Sequence, residues 1–236
     1  MNARSDDASR VAWKQLHDQL KSRRRDIEQA LPKGMSADRF IRAVWGSVRT
    51  QPRLVEVDRA SLMHAVLQLA QVGLIPDTPL RHAYLRPTSS GARIILGYRG
   101  IIAMALRSPA ISFIEAHVVY TGDYFEYLHG TEQYLRHRVT EAREHGARGE
   151  RRCAYARAQL VNGDSIFHVS PRWEIDESMR RSDDHGEADS PWQTDPDAMW
   201  RKTPIRRLEP FLPLTASVAQ LLATDDRIID APREED

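Results

Sequence analysis

Apolar residues recur at helical spacing through the first third of the chain and alternate with polar ones through its middle. Val11, Trp13, Leu16, Leu20 and Ile27 predict helix within residues 1–30, ended by Leu31-Pro32-Lys33-Gly34. Ser36 is placed to cap a helix carrying Phe40, Ile41, Val44, Trp45 and Val48, which stops at Gln51-Pro52. Asp58 caps the next, with Leu62, Val66, Leu69 and Ala70 on one side and Gly73 just past its end. Pro76-Asp77-Thr78-Pro79 then makes a rigid turn.

Beyond that turn the period changes. Ala83–Arg86 and Ala92–Leu96 read as short strands around Pro87-Thr88-Ser89-Ser90-Gly91, and Gly97-Tyr98-Arg99-Gly100 turns the chain into a helix over Ile101–Arg107. Ile111–Tyr120 and Tyr124–Tyr127 are further strands. A charged loop with two glycines covers Thr140–Arg152, and Tyr155–Val161 and Ser165–Val169 flank the hairpin signal Asn162-Gly163-Asp164. Pro171 starts a short helix with Trp173, Ile175 and Met179, and Arg180–Ser190 is polar loop. Asp195-Pro196 opens a helix through Leu208 that Pro204 should kink, Pro210 and Pro213 close it, and Leu214–Ala223 is a last apolar helix. The fold class is α+β: an antiparallel β-sheet core with β-hairpin and helix units packed by helices. The expected organisation is a helical segment over 1–30, one domain over 31–223 and a disordered acidic tail over 224–236.

Net charge is only +1, so affinity for a polyanion has to come from segregated charge. Thr78–Ile114 supplies it, with five arginines and no acid. At the chain's rate of 33 acids in 236 residues, a stretch this long would hold about five. Arg86, Arg93, Arg99 and Arg107, with Tyr84 and Tyr98, form a cationic, aromatic β-β-α unit suited to a polyanion. The same arginines are equally the wet face of a half-buried sheet, and the tyrosines core aromatics. A second run, Arg201-Lys202-Thr203-Pro204-Ile205-Arg206-Arg207, has four cations and no acid. Two such elements are expected as opposite walls of one groove. Lys21–Arg25 is basic too, and a solvated helix face accounts for it.

Chemistry for bond breaking is missing from the sequence. No P-loop, dinucleotide fingerprint, H-E-x-x-H or paired Cys/His spacing occurs. Asp183, Asp184, Glu187 and Asp189 cluster beside His185, but on a predicted loop, where acids are ordinarily solvated. Cys153 is the single cysteine, which excludes an intrachain disulfide and suits a reducing cytosol. No apolar run approaches the roughly 20 residues of a membrane span, and MNARSDDASR lacks the apolar core of a secretory signal. The expectation is no catalytic residue, no metal and no cofactor.

Three segments, in order, resemble the RecT family of phage and prophage single-strand annealing proteins. The first runs from Leu31-Pro32 through Arg39-Phe40-Ile41-Arg42 and Gln68–Leu74 to Asp77-Thr78-Pro79-Leu80. The second joins Ala83-Tyr84-Leu85 and Leu96-Gly97-Tyr98-Arg99-Gly100 to Ile114–Tyr120 and Phe125-Glu126-Tyr127. The third is Ser190–Asp195 with Met199, Lys202-Thr203, Arg206-Arg207 and Leu212-Pro213-Leu214. Arg99 stands where the family's glycine-tyrosine-lysine-glycine motif has lysine, and Pro204 is foreign to the basic helix.

The resemblance, over roughly Leu31 to Ser217, implies an ATP-independent, cytoplasmic protein of the bacterial host that binds single-stranded DNA and pairs complementary strands. It implies an oligomeric architecture like other annealing proteins, a ring or helical filament holding the DNA and the annealed duplex intermediate. Implied partners are a phage exonuclease and a host single-strand-binding protein. The DNA-contacting set it suggests is Tyr84, Arg86, Arg93, Tyr98, Arg99, Arg107, Trp192, Arg201, Lys202, Thr203, Arg206 and Arg207. Trp192 serves equally as a stacking platform or as a packed core residue. An RNA- or duplex-binding module and a purely structural phage oligomer are the alternatives.

Overall fold

A computed structural model describes residues 3–141, 148–182, 185–186, 188 and 190–226. The acid cluster at Asp183, Asp184, Glu187 and Asp189, the centre of the 140–152 loop and the tail from residue 227 lie outside the described residues. The fold is α+β and gathers into two compact units, Met1–Gly100 with Ala216–Asp225, and Ile101–Thr215 with Asp226–Asp236.

The first unit is helical with one hairpin. Helices α1 (Ala3–Ser22), α2 (Arg24–Ala30), α3 (Ala37–Thr50) and α4 (Arg59–Gln71) bury Leu16, Leu20, Ile27, Phe40, Val44, Leu62 and Leu69. The expected caps are present: Ser36 accepts from the Arg39 amide, and Asp58 from the Ser61 amide. Gly73 takes φ 58° beyond α4, where its N–H bonds Ala70 O and that of Leu74 bonds Leu69 O. That pair satisfies the last carbonyls of the helix, and the left-handed residue between them favours glycine. Arg23 pairs with Asp26, and Arg24 with Glu28 and Asp38, so this basic cluster is a solvated, ion-paired face. Strands β1 (Ala83–Thr88) and β2 (Gly91–Leu96) pair antiparallel through a two-residue turn at Ser89-Ser90, tighter than the five-residue loop the sequence suggests. Pro87 fits within β1 because a two-stranded ribbon has free edges. Helix α5 (Tyr98–Ala105) begins earlier than expected and spans the boundary between units, and α9 covers Ala216–Asp226. Thus Thr224–Asp226, expected in the tail, continue a helix.

The second unit is built on a three-stranded antiparallel sheet in the order β3 (Ile111–Tyr120), β6 (Arg151–Leu160), β7 (Ser165–Pro171). Gly163, at φ 93°, makes the expected turn between β6 and β7. Alternation along the strands gives the sheet two faces. Val118 and Ala154 pack with Ile175, Trp192 and Trp200 from α6 (Arg172–Arg180), α7 (Pro191–Thr194) and α8 (Pro196–Leu208). Val119, Cys153, Tyr155, Phe167 and Val169 point the other way. There they meet Phe125 and Leu135 of a hairpin, β4 (Tyr124–Leu128) and β5 (Tyr134–Arg138). Burial pushes the Cys153 thiol up to about 11, against the opposing charge of Arg152.

Strand β5 has no counterpart in the sequence reading, because its only inward residues are Leu135 and His137. Asp123, fully buried, pins this hairpin. It accepts from the Tyr120 and Thr140 amides and from Arg148 Nε at 3.1 Å, and lies 3.2 Å from His137 Nε2. Burial alone would raise its pKa, but the Arg148 and backbone bonds outweigh it and hold the carboxyl well below the usual range. Helix α8 runs unbroken through Pro204 rather than opening a turn. Among the described residues no helix is long and apolar enough to cross a membrane, and no group of His, Cys, Asp and Glu could hold a metal ion.

Candidate nucleic-acid interface

In the first unit the β1–β2 hairpin has a dry face and a displayed one. Ala83, Leu85, Ile94 and Leu96 are buried, and β2 packs on α4, where the Ala92 amide donates to Ser61 Oγ at 2.7 Å. Tyr84, Arg86, Arg93 and Ile95 occupy the other face. Arg86 and Arg93 are direct cross-strand partners, an arrangement of like charges that costs stability by itself. Asp77 offsets it: Oδ1 accepts from Arg86 at 2.6 Å while Oδ2 accepts from the Leu85 amide at 3.2 Å. The Arg86 guanidinium also lies 5.0 Å from the Tyr84 ring centre. Holding Asp77 there requires φ 52°, and Arg81 nearby is at φ 57°.

The glycines of Gly97-Tyr98-Arg99-Gly100 are explained by close backbone approach. A Cβ at Gly97 would overlap the Arg81 carbonyl oxygen, and one at Gly100 that of His82. Only glycine lets the start of α5 sit against this loop. That seating projects Tyr98 and Arg99 together, Arg99 Nε 3.3 Å from Tyr98 Oη and its guanidinium 5.8 Å from the ring. Arg99 and Arg107 are exposed. The arginines of β1–β2 are therefore the wet face of a half-buried sheet, and that face also carries the tyrosine.

The basic run on α8 differs from its linear reading. Its cations meet acids from outside the run: Arg201 pairs with Asp197 at 3.8 Å, Arg206 with Glu209 at 3.0 Å, and Arg207 Nε with Glu174 of α6 at 2.7 Å. Arg206 is 8% exposed and Glu209 12%, so Arg206 is a structural cation rather than a displayed one. Thr203 is buried, its hydroxyl donating to the Met199 carbonyl. Trp192 is 6% exposed, within the cluster of Val118, Ala154, Ile175 and Trp200. Packing, not stacking, is its role, because α7 turns the indole toward the sheet. Arg201, Lys202 and the exposed Arg207 remain on the surface of α8. Asp197 also accepts from Tyr120 Oη at 2.8 Å and Arg151 Nε at 2.6 Å. Those bonds hold its carboxyl below the ordinary range, against the burial that would raise it.

A cationic, aromatic surface that the sequence reading missed lies on β4–β5. Arg136 sits 5.1 Å from the Tyr134 ring and Arg138 5.3 Å from that of Tyr124. The alternation Tyr134-x-Arg136-x-Arg138 was the available signal.

Guanidinium groups laid on tyrosine rings and displayed from the β1–β2 hairpin and the start of α5 are the surface chemistry of nucleic-acid binding. The RecT family model matches residues 38–236. Protein RecT of Escherichia coli (strain K12) is 33% identical over 216 residues, covering 87% of this chain and 77% of that protein. The chain belongs to the RecT family, among the proteins of DNA recombination and annealing.

Proposed function

We propose that this protein binds single-stranded DNA and anneals complementary strands without ATP and without a covalent step, as a self-associating assembly. The observation that carries the reading is the outward face of β1–β2 and the start of α5, where Tyr84, Arg86, Arg93, Tyr98 and Arg99 are set on one rigid, glycine-seated unit. Guanidinium groups hold phosphates and release counterions, a sequence-blind contact that leaves base edges free to test pairing. Tyrosine faces take unstacked bases, each worth about 1–3 kcal/mol. Arg107, Arg201, Lys202 and Arg207 add cations on the second unit. The exposed Trp173 is available for contact between copies. A nuclease that exposes single strands and a single-strand-binding protein are the partners such an activity calls for.

The test is annealing of complementary labelled oligonucleotides in the absence of nucleotide. The expected result is faster annealing than with no protein, and binding that prefers single strands to duplex and to RNA. Replacing Arg93 and Arg99 by alanine should flatten the dependence of log affinity on log salt by about 1.4, at ~0.7 per lost phosphate contact. A requirement for ATP hydrolysis, or equal binding of duplex, would overturn the reading. A monomer by light scattering, with and without DNA, would remove the assembly from it.

A further inference from the structure

Helices α6–α8 cover one face of the three-stranded sheet, and the β4–β5 hairpin covers only part of the other. What remains is an open groove of about 820 Å³ between β5 and the strands β3 and β6. Three guanidinium groups line it: Arg136, Arg138 and Arg157. Arg157 is fixed by Ser165 Oγ at 3.0 Å and Gln159 Oε1 at 3.3 Å. Arg136 and Arg138 are two residues apart on one strand, so both project to the same side. Arg136 is 69% exposed and Tyr124 48%.

The acids nearby are engaged. Glu126 accepts from Tyr134 Oη at 2.6 Å and Tyr124 Oη at 2.7 Å, with Arg136 3.9 Å away, and Glu115 lies 2.9 Å from His117 Nε2. The groove is therefore cationic on balance, with Tyr124 and the imidazole of His117 at its surface and the exposed Phe113 further along β3. Aromatic faces bearing stacked guanidinium groups suit unpaired bases and a phosphate backbone together. Paired bases in a duplex have no free face to offer such rings. Within this unit α8 packs on the opposite face of the sheet, so DNA lying along α8 does not occupy the groove.

We propose that this groove is a second surface for single-stranded DNA, distinct from α8, that holds an unpaired strand while another is bound elsewhere on the protein. The proposal rests on the reading of the protein as a single-strand annealer. In an assembly, such a surface raises the local concentration of strands awaiting a complement.

The experiment loads the full-length protein with one labelled oligo-dT at no more than the stoichiometry of its tighter surface and then titrates a second, differently labelled oligo-dT. Wild type should take up the second strand in a salt-sensitive manner. R136A/R138A should keep the first strand at wild-type affinity and lose most of the second. Its salt slope for residual second-strand uptake should flatten by about 1.4. R136K/R138K should retain uptake, and circular dichroism checks that all three share one fold. If wild type binds a first strand but no second, or if R136A/R138A takes up the second unchanged, the groove is not such a surface. If R136A/R138A loses the first strand as well, the groove belongs to the primary site and the proposal fails. Failure of wild type to bind even the first strand would instead overturn the annealing reading.

Discussion

Arg206→Ala separates a structural cation from a DNA-binding one. The guanidinium is 8% exposed and Glu209 12%, and their charged atoms approach to 3.0 Å. Removing one member of a buried pair leaves the other charge uncompensated, which typically costs about 3–5 kcal/mol. Here NH1 and Oε2 are close without the alignment of a hydrogen bond, and both residues make further contacts, so a lower figure of about 2–3 kcal/mol is appropriate. For a chain of this size each kcal/mol shifts the melting temperature by about 2–4 °C, giving a fall of roughly 4–12 °C. Thermal denaturation followed by circular dichroism measures it. Single-strand affinity against salt, taken well below the transition, should keep its wild-type slope. Lys202→Ala should do the reverse, leaving the melting temperature unchanged and lowering the slope by ~0.7. If Arg206→Ala melted like wild type yet lost that slope, its side chain would be reaching DNA and the ion-pair reasoning would be refuted.

Further outcomes follow from other contacts. Asp123→Asn should loosen the β4–β5 hairpin and cost roughly 2–4 kcal/mol, read by urea denaturation, because Arg148 loses its buried counter-charge. Since the folded pKa of Asp123 is depressed, its contribution is present above the ordinary carboxylate value of about 4 and fades as pH falls below it. The asparagine variant should therefore show a flatter acid limb than wild type. Gly100→Ala should lose about 1–3 kcal/mol through overlap with the His82 carbonyl, and an unchanged melting temperature would argue against that close approach. Deleting residues 1–30 should destabilise the first unit, because Leu16, Leu20 and Ile27 are fully buried and Arg59 donates to the Ala12 carbonyl. Native-like helix content and melting in the truncated chain would contradict this.

Features written in local chemistry were legible in the sequence: the caps at Ser36 and Asp58, the glycine after α4, the Asn162-Gly163-Asp164 turn and the limits of β3. Features that need a distant partner were not. Strand β5 turns His137 inward, which makes sense only with Asp123 and Tyr155 beside it. The acid-free run on α8 was real in sequence but not in space, because its acids arrive from one helical turn to either side and from α6. Trp192 was open to stacking or packing for the same reason: the sequence shows an aromatic residue after proline, and only the fold shows which way it turns. The placement of the β1–β2 cations was legible because strand alternation sets Arg86 and Arg93 on the face opposite Leu85 and Ile94, although Asp77, just outside the acid-free run, meets Arg86.

The solitary thiol has a practical meaning. Cys153 is enclosed between β6 and the β4–β5 hairpin, and burial pushes its pKa to about 11. In the closed protein almost none of it is thiolate at neutral pH, and reagents cannot reach it. Alkylation therefore proceeds only when the hairpin lifts or the unit unfolds. Its rate reads the opening of that flap in the untouched wild-type chain, and any DNA strand that clamps the groove beside it should slow the reaction.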